Sequence, residues 1–216
     1  MRDKILKEAL YLMASRGYEA TSIQAVADAV GVRKQSLLYH FPSKEILHEA
    51  VIEALVSRWN DVLPKVMLAA TGGRDRFEAV MRTVVEFFVE DPNRAKILLR
   101  EVLDRPAVMQ RILNQHSQVW SGAIRAYIEE GQQFGSVDPN LDPDCYILHI
   151  TTLLLCGIAT FETMSAFLRV GSELEGKSEL ERFIDEMMRI AQRSLFMKRP
   201  RQSPQEQEQE QEQELQ

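Results

Sequence analysis

A short basic segment is the part of this chain best suited to contact another molecule. Residues 31–41 read GVRKQSLLYHF, so that Arg33, Lys34 and Gln35 follow directly on a Gly-Val turn. If a helix begins there, its first turn presents two cationic groups and one amide. Arg and Lys pair with guanine, and Gln pairs with adenine, on base edges in the major groove of DNA. The segment therefore predicts a base-reading surface.

The neighbouring residues predict the helices that would position this surface. Apolar residues recur at helical spacing over 5–13, and Gly17 is expected to end that first helix. Thr21 and Gln24 have the spacing of a capping box, which predicts that Thr21 begins the second helix. Gly31 then permits a sharp turn into the third helix. Two helices joined in this way form a helix-turn-helix, whose second helix can enter the major groove.

Helical patterns continue along the rest of the chain. Ser43 is expected to cap a long fourth helix that breaks at Pro64, and residues 112–128 predict one long central helix. There is no alternating strand pattern of useful length and no internal repeat. The predicted fold is all-α with about nine helices. It comprises a three-helix helix-turn-helix domain (1–46), a second helical domain (47–197) and a low-complexity Gln/Glu tail (198–216).

Net charge does not exclude a nucleic-acid partner. The chain has 216 residues and a formal charge of −6. Residues 1–50 carry seven Lys/Arg and six Asp/Glu, a balance of +1, whereas residues 51–197 carry 16 and 21, a balance of −5. Binding DNA requires a local basic face and not a basic protein.

The cysteines and the most apolar segment indicate the compartment. Cys145 and Cys156 lie in an apolar run, which favours buried thiols and a cytoplasmic protein. Glu8 interrupts the N-terminal apolar stretch, so no secretion signal is predicted. Residues 145–161 carry no formal charge over 17 positions. Because a membrane span usually needs about 20 apolar residues, we expect no membrane association and instead a helix buried by its own domain and by a partner.

Residues 5–50 resemble the DNA-binding domain of the TetR (tetracycline-repressor-like) family. The family outline is a helix ending in R-G-Y, then A-T-S-I, then I/V-A-x-A-x-G-V, then S/T-L-Y-x-H/Y-F-x-S/N-K-E. The matching segments are Arg16-Gly17-Tyr18, Ala20-Thr21-Ser22-Ile23, Val26-Ala27-Asp28-Ala29-Val30-Gly31-Val32, Ser36-Leu37 and Tyr39-His40-Phe41-Pro42-Ser43-Lys44-Glu45.

The resemblance implies a ligand-responsive transcription regulator, usually a repressor, that binds a palindromic double-stranded DNA operator as a homodimer. Position by position, the resemblance also implies that phosphates are contacted by Thr21, Ser36, Tyr39, His40 and Lys44. Without the motif, Tyr39 and His40 could equally pack against the first and fourth helices. Likewise, Arg33 and Lys34 would be an ordinary solvated helix face.

Two further groups of residues are expected in the helical body. A small-molecule effector, of unknown identity and largely apolar or aromatic, needs an apolar cavity with a few polar groups. Candidate lining residues are Phe87, Phe88, Leu103, His116, Trp120, Tyr127, Thr152 and Phe161. For His116, Trp120 and Tyr127 the residues favour core packing, with the lining of a ligand cavity as the alternative role. The expected dimer interface comprises Ile147, Ile150, Leu154, Gly157, Phe183, Ile184 and Met187.

Other function classes find little support in the sequence. The four histidines are scattered and neither cysteine has a partner at zinc-site spacing, so no metal site and no cofactor are predicted. No catalytic Ser-His-acid set or Gly-rich phosphate loop is present, so no enzyme activity is predicted. A helical small-molecule carrier, or an enzyme without DNA binding, remains the alternative, although both leave the Arg33–Lys44 arrangement unexplained.

Overall fold

The fold is built from helices throughout the described part of the chain. A computed structural model describes residues 1–70, 72–168 and 176–197. Within these ranges there is no β-strand, and a single bridge pairs Val137 with Phe196. The all-α prediction is confirmed, with ten α-helices in place of about nine. They are α1 (Arg2–Arg16), α2 (Ile23–Val30), α3 (Lys34–His40), α4 (Lys44–Ala69), α5 (Gly73–Glu90), α6 (Asn93–Asp104), α7 (Pro106–His116), α8 (Gln118–Gln133), α9 (Pro143–Met164) and α10 (Glu179–Leu195), with one 3-10 turn at Ser165–Phe167.

The start of α2 differs from the capping box predicted at Thr21. Ser22 is the N-cap, and its side chain accepts a hydrogen bond from the backbone N–H of Ala25. Thr21 is 1% exposed, and its hydroxyl lies 2.9 Å from the carbonyl oxygen of Gly17. The capping prediction was wrong because this hydroxyl bonds back to the end of α1. Gln24 instead donates to Asp28 within α2.

The turn between α2 and α3 forms where the sequence predicted it. Gly31 has φ 80° and ψ 34°, the left-handed conformation that glycine adopts without steric cost. Leu37 and Phe41 are buried in the small core between α1, α2 and α4, which leaves the rest of α3 facing outward. Ser43 caps α4 as expected, since its side chain accepts from the N–H of Ile46.

Two predicted helix boundaries were wrong. Pro64 lies inside α4, which continues to Ala69. A proline removes one backbone hydrogen bond, and the long buried face that includes Trp59 and Leu63 holds the helix through it. Conversely, the predicted central helix over 112–128 is two helices, α7 and α8, which meet at Ser117. The break arises because α7 packs on α4 whereas α8 packs on both α4 and α9.

The last two helices leave an apolar surface uncovered. On α9 only Tyr146, Leu154 and Ile158 are buried, while Leu148 is 64% exposed. Within the protomer, the predicted burial of this helix on two sides is therefore found on one side only. By length and composition the segment Pro143–Phe167 could also cross a membrane. The predicted boundary between residues 46 and 47 falls in the first turn of α4, and the predicted tail lies outside the described residues.

Candidate nucleic-acid interface and internal cavity

The outward face of α3 presents the predicted base-reading side chains together. Arg33, which is the N-cap of α3, and Lys34 and Gln35 in its first turn are all exposed, as is Ser36. The buried Leu37 fixes the opposite face of the helix and so orients these groups away from the core. Two cationic groups and an amide at the start of one exposed helix form a surface able to reach base edges in a major groove.

The aromatic–histidine pair lies at the end of α3. Tyr39 is 85% exposed, and its ring meets that of His40 edge to face with centroids 5.6 Å apart. Packing against α1 or α4 therefore does not account for Tyr39. A phenolic hydroxyl and an imidazole held outward in this way can donate hydrogen bonds to phosphate oxygens.

Two of the predicted phosphate ligands are engaged within the protein. Thr21 is buried, and its hydroxyl is used by the end of α1. Lys44 is half-buried, and its Nζ donates to the carbonyl oxygen of Glu19 at 3.2 Å and lies 4.1 Å from the centre of the Tyr18 ring. The ammonium of Lys44 has a further donor hydrogen for a phosphate, whereas Thr21 has no exposed polar atom to offer in this conformation.

Basic groups from α1 lie beside the helix-turn-helix, and the sequence reasoning did not identify them. The guanidinium of Arg2 lies 5.2 Å from the centre of the Phe41 ring, directly after α3. Lys4 Nζ donates to the carbonyl oxygen of Val30 at 2.9 Å, at the end of α2. Residues two positions apart do not share a helix face, so the helical periodicity of α1 gave no signal for this pair of cations. They add positive charge to the face that carries α3.

A buried polar cluster joins this N-terminal region to the helical body. Arg105, between α6 and α7, places NH1 2.9 Å from Nδ1 of His48 on α4, and Nε2 of His48 lies 3.3 Å from Oε2 of Glu101 on α6. Because a guanidinium can only donate, Nδ1 of His48 accepts and Nε2 carries the proton that faces Glu101. The ring of Tyr18 packs edge-on against His48 at 4.7 Å. The cluster therefore connects the loop after α1 with α4 and α6.

Burial shifts the proton affinities of this cluster in opposite directions. Loss of hydration, with the neighbouring Arg105 charge, lowers the pKa of His48 to about 4. Loss of hydration raises the pKa of Glu101 to about 7, against the opposing effect of Arg105. For Tyr18, burial and a hydrogen bond from its hydroxyl to Glu45 at 2.8 Å raise the pKa to about 12.

The helical body encloses an apolar cavity of about 170 Å³. Helices α4 to α10 all contribute to it, so it lies in the middle of the helical body, with α4 on one side and α9 on another. Its lining includes Leu55, Trp59, Leu63, Arg76, Phe77, Val80, Met81, Phe88, Leu98, Met109, Trp120, Ile124, Tyr127, Tyr146, Ile150, Thr151, Leu154 and Leu195. A concave, mostly apolar space with few polar groups is the ordinary form of a small-molecule site.

The structure places three of the eight predicted effector residues in this lining, namely Phe88, Trp120 and Tyr127. The other five lie elsewhere. Leu103 is 70% exposed, and Thr152 is exposed on α9. Phe87 packs against Trp59, Phe161 packs against Phe183, and His116 ends α7.

Sequence reasoning missed the contribution of α4 and of the start of α5. Trp59 and Leu63 from α4, with Arg76 and Phe77 from α5, line the cavity. Their apolar spacing was visible in the sequence, but only the packing of these helices shows which face meets α8 and α9.

The predicted dimer residues also separate into groups. Leu154 and Met187 are buried within the protomer, at 3% and 2% exposure. Ile147 and Ile150 line the cavity. Gly157 lies against the Phe183 ring, so that a Cβ added there would be 2.5 Å from Cζ. Ile184 packs half-buried against the main core.

No group of three or more His, Cys, Asp or Glu side chains is placed to hold a metal ion in the portions of the chain that the structure describes.

Comparison with known proteins finds similarity to one family of regulators over the N-terminal region. The sequence profile described as "Bacterial regulatory proteins, tetR family" matches residues 5–51, which span α1 to α3 and the start of α4. The chain is 24% identical over 145 residues to the HTH-type transcriptional repressor KstR2 of Rhodococcus jostii, covering 65% of this chain and 71% of that protein. It is 28% identical over 94 residues to the biofilm operon icaADBC negative transcriptional regulator IcaR of Staphylococcus aureus, covering 44% of this chain and 49% of that one, about half the length of that regulator.

Solved structures share the helical architecture over most of the chain. The fatty acid degradation regulator FadR from Bacillus halodurans has a TM-score of 0.69 at 16% identity, and the alignment covers 88% of this chain and 93% of that one. The ketosteroid transcriptional regulator KstR2 of Mycobacterium tuberculosis has a TM-score of 0.67 at 17% identity, with 91% and 95% covered. At these identities the likeness is one of fold.

Proposed function

We propose that this chain, a DNA-binding regulator of the tetR family, represses transcription as a homodimer on a palindromic operator and is released by a small apolar molecule. The observation that carries the proposal is the outward face of α3, where Arg33, Lys34 and Gln35 are exposed beside one another. These side chains have no structural role in the protomer core, and their chemistry matches base edges.

The residues of this surface have different proposed roles. Arg33, Lys34 and Gln35 read base edges, while Ser36, Tyr39 and His40 bind phosphates and fix the position of α3 in the groove. Lys44 binds phosphate with the donor hydrogen that its contacts to Glu19 and Tyr18 leave available. Thr21 takes a structural role in place of the phosphate contact implied by the family motif, because its hydroxyl is buried.

The proposed dimer uses the uncovered face of α9 with α10. Leu148 on α9 and Ile190 on α10 are 64% and 47% exposed in the protomer. One helix-turn-helix contacts too little DNA for specific affinity, so two are paired to reach half-sites about one helical turn apart or a multiple of it. Pairing these helices across a two-fold axis would bury the apolar surface and set the separation of the two α3 helices.

Helix α4 is the proposed lever between effector and DNA. Its first turn, at Lys44, contacts the loop after α1, while Leu55 and Trp59 further along line the cavity. The His48–Glu101–Arg105 cluster ties its N-terminal part to α6 and α7, which also line the cavity. An effector that fits one arrangement of these helices better would shift the population away from the DNA-competent separation.

The remaining assignments follow from this function. The chain acts in the cytoplasm, by binding and not by catalysis. We assign residues 1–46 to DNA binding and residues 47–197 to effector binding and dimerisation.

Selection from random duplexes tests the proposal without knowledge of the operator. The full chain is mixed with a random duplex library, bound DNA is enriched, and the affinity of the best sequence is measured over a range of salt concentrations. We expect an inverted repeat, with affinity that falls steeply as salt rises. Apolar compounds that raise the melting temperature of the free protein are then tested for release of that DNA. A folded chain that enriches no sequence but still binds apolar compounds would identify a helical small-molecule carrier and overturn the proposal.

A further inference from the structure

We infer that the cavity takes an elongated apolar carboxylate, whose acid group meets Arg76 and which carries a second hydrogen-bond acceptor for Trp120. The inference rests on the proposed function in one respect, since it names the chemical class of the effector. It stands on two polar groups that an entirely apolar ligand would leave unpaired.

Two N–H groups at the cavity are buried and have no partner among the described residues. They are Nε of Arg76 on α5 and Nε1 of Trp120 on α8. A buried donor that lacks an acceptor is unfavourable, and native proteins contain few of them. Both groups can only donate. A ligand that supplied an acceptor at each position would recover this cost, which an alkane-like ligand could not do.

The other buried polar groups of the lining are already committed. The hydroxyl of Tyr127 donates to the carbonyl oxygen of Gly73 at 2.7 Å, and that of Tyr146 donates to the carbonyl oxygen of Ala191 at 2.8 Å. The buried donors left for a ligand therefore belong to Arg76 and Trp120, and Thr151, an exposed residue of α9, adds one hydroxyl. The cavity selects for acceptors at these two places and for apolar groups elsewhere.

The Arg76 end favours an anion. NH1 of Arg76 lies 3.9 Å from Oε2 of Glu130, whose side chain is 58% exposed. A long ion pair with a solvated partner contributes little, so the guanidinium can accept a second anion. Its free Nε–H and an adjacent terminal N–H form a side-on edge that matches the two oxygens of a carboxylate.

Trp120 and Tyr127, the residue beside Arg76, lie on the same helix α8. The guanidinium carbon of Arg76 is 5.9 Å from the centre of the Tyr127 ring. Trp120 precedes Tyr127 by seven residues on the same helix, a separation of about 10 Å along the axis. Between them Ile124 contributes apolar surface. One compact head group cannot reach both donors, so the ligand is elongated and has its acceptors roughly 10 Å apart.

Head-group selectivity tests the Arg76 contact. Decanoate, decanol and decylamine share one apolar chain and differ in charge, and their affinities for the free full chain are compared by calorimetry. We expect decanoate to bind about ten-fold more tightly than decanol, as one charge-assisted hydrogen bond provides, and decylamine to bind most weakly. Arg76→Gln should bring decanoate and decanol to equal affinity. Arg82→Gln, an exposed arginine on the same helix, should leave the ratio unchanged.

A second comparison tests the Trp120 contact. ω-Hydroxydecanoate places an oxygen at the far end of the chain, so it should bind several-fold more tightly than decanoate, and Trp120→Phe should abolish that difference while retaining the preference for acid over alcohol. If Arg76→Gln also loses decanol binding, the same comparison is made with Arg76→Lys. This variant retains a cation, so it should keep part of the preference for acid over alcohol.

Equal binding of acid and alcohol by the unmodified chain would overturn the inference. A preference for acid that persists in Arg76→Gln would also overturn it. Since these measurements use the free protein, either result leaves enrichment of an operator by the same preparation intact.

Discussion

Nε2 of His48 on α4 lies 3.3 Å from Oε2 of Glu101 on α6, and both side chains are buried. The guanidinium of Arg105 contacts the other imidazole nitrogen and fixes the proton on Nε2. The pair thus holds α4, which follows the helix-turn-helix, against α6, which lines the cavity. Its protonation should affect stability in a way that only single variants reveal.

The two shifts have opposite effects on stability as pH changes. The pKa of His48 falls from 6.5 to about 4, so the unfolded state binds more protons between these values and stability is lost as pH falls. The pKa of Glu101 rises from 4.5 to about 7, so the folded state binds more protons there and stability is lost as pH rises. Between pH 4.5 and 6.5 the two slopes cancel, and the pair contributes little pH dependence.

Replacing either His48 or Glu101 should reveal the pH dependence of folding stability that the other residue contributes. In His48→Gln, whose amide can still accept from Arg105 and donate to Glu101, stability should fall as pH rises from 4.5 to 6.5. In Glu101→Gln it should fall as pH drops over the same range. Each change should be on the order of 2–3 kcal/mol. Urea unfolding across this range measures it, and parallel curves for both variants and the unmodified chain would contradict the assignment.

The sequence was sufficient for the helix-turn-helix and insufficient for the body. Gly17, Gly31 and Ser43 mark helix ends through local backbone chemistry, so α1, α3 and α4 begin or end near the predicted positions. Ser117 carries no comparable signal, because the break between α7 and α8 depends on which helices each packs against.

The cavity was only partly predictable for a similar reason. Trp120 and Tyr127 were found because they lie on one face of a helix together with other apolar residues. Leu103 was expected to line the cavity but is 70% exposed, since hydrophobicity alone does not give the orientation of a helix. Periodicity likewise did not distinguish the Trp59 face of α4, which meets the cavity, from faces that meet the domain core.

Thr21→Val should reduce folding stability by about 1–2 kcal/mol. The buried hydroxyl donates to the carbonyl of Gly17 and lies 3.2 Å from that of Leu12, so removing it leaves buried acceptors without a donor. Thr21→Ser keeps the hydroxyl and should retain most of the stability. Denaturant unfolding gives the comparison. If Thr21→Val folds as stably as the unmodified chain but binds operator weakly, while Thr21→Ser binds operator normally, the hydroxyl contacts phosphate and its role is not structural.

Substitutions on α3 and at the start of α4 should separate base reading from phosphate binding. Arg33→Ala should relax sequence preference at particular operator positions, at a cost of about 1–3 kcal/mol. Lys44→Ala should weaken binding to all DNA sequences equally and lower the slope of log affinity against log salt concentration by about one. Lys65→Ala, an exposed lysine near the other end of α4, is the matched control and should do neither. Titrations against the operator and single-base variants at several salt concentrations distinguish these outcomes, and uniform weakening by Arg33→Ala would show that it binds backbone.

A charge at Leu148 should produce a folded monomer. Leu148 is 64% exposed on the uncovered face of α9, so Leu148→Glu costs the protomer little but places a carboxylate in the proposed apolar interface, close to its two-fold-related copy. Burying an unpaired charge there is strongly unfavourable. Leu68→Glu is the control, since Leu68 is 85% exposed near the end of α4. Sedimentation at micromolar concentration should show a dimer for the unmodified chain and for Leu68→Glu, and a monomer with unchanged helical circular dichroism for Leu148→Glu. Operator affinity should fall with the dimer, because each monomer then holds a single α3. A Leu148→Glu protein that remains dimeric would place the interface on another surface.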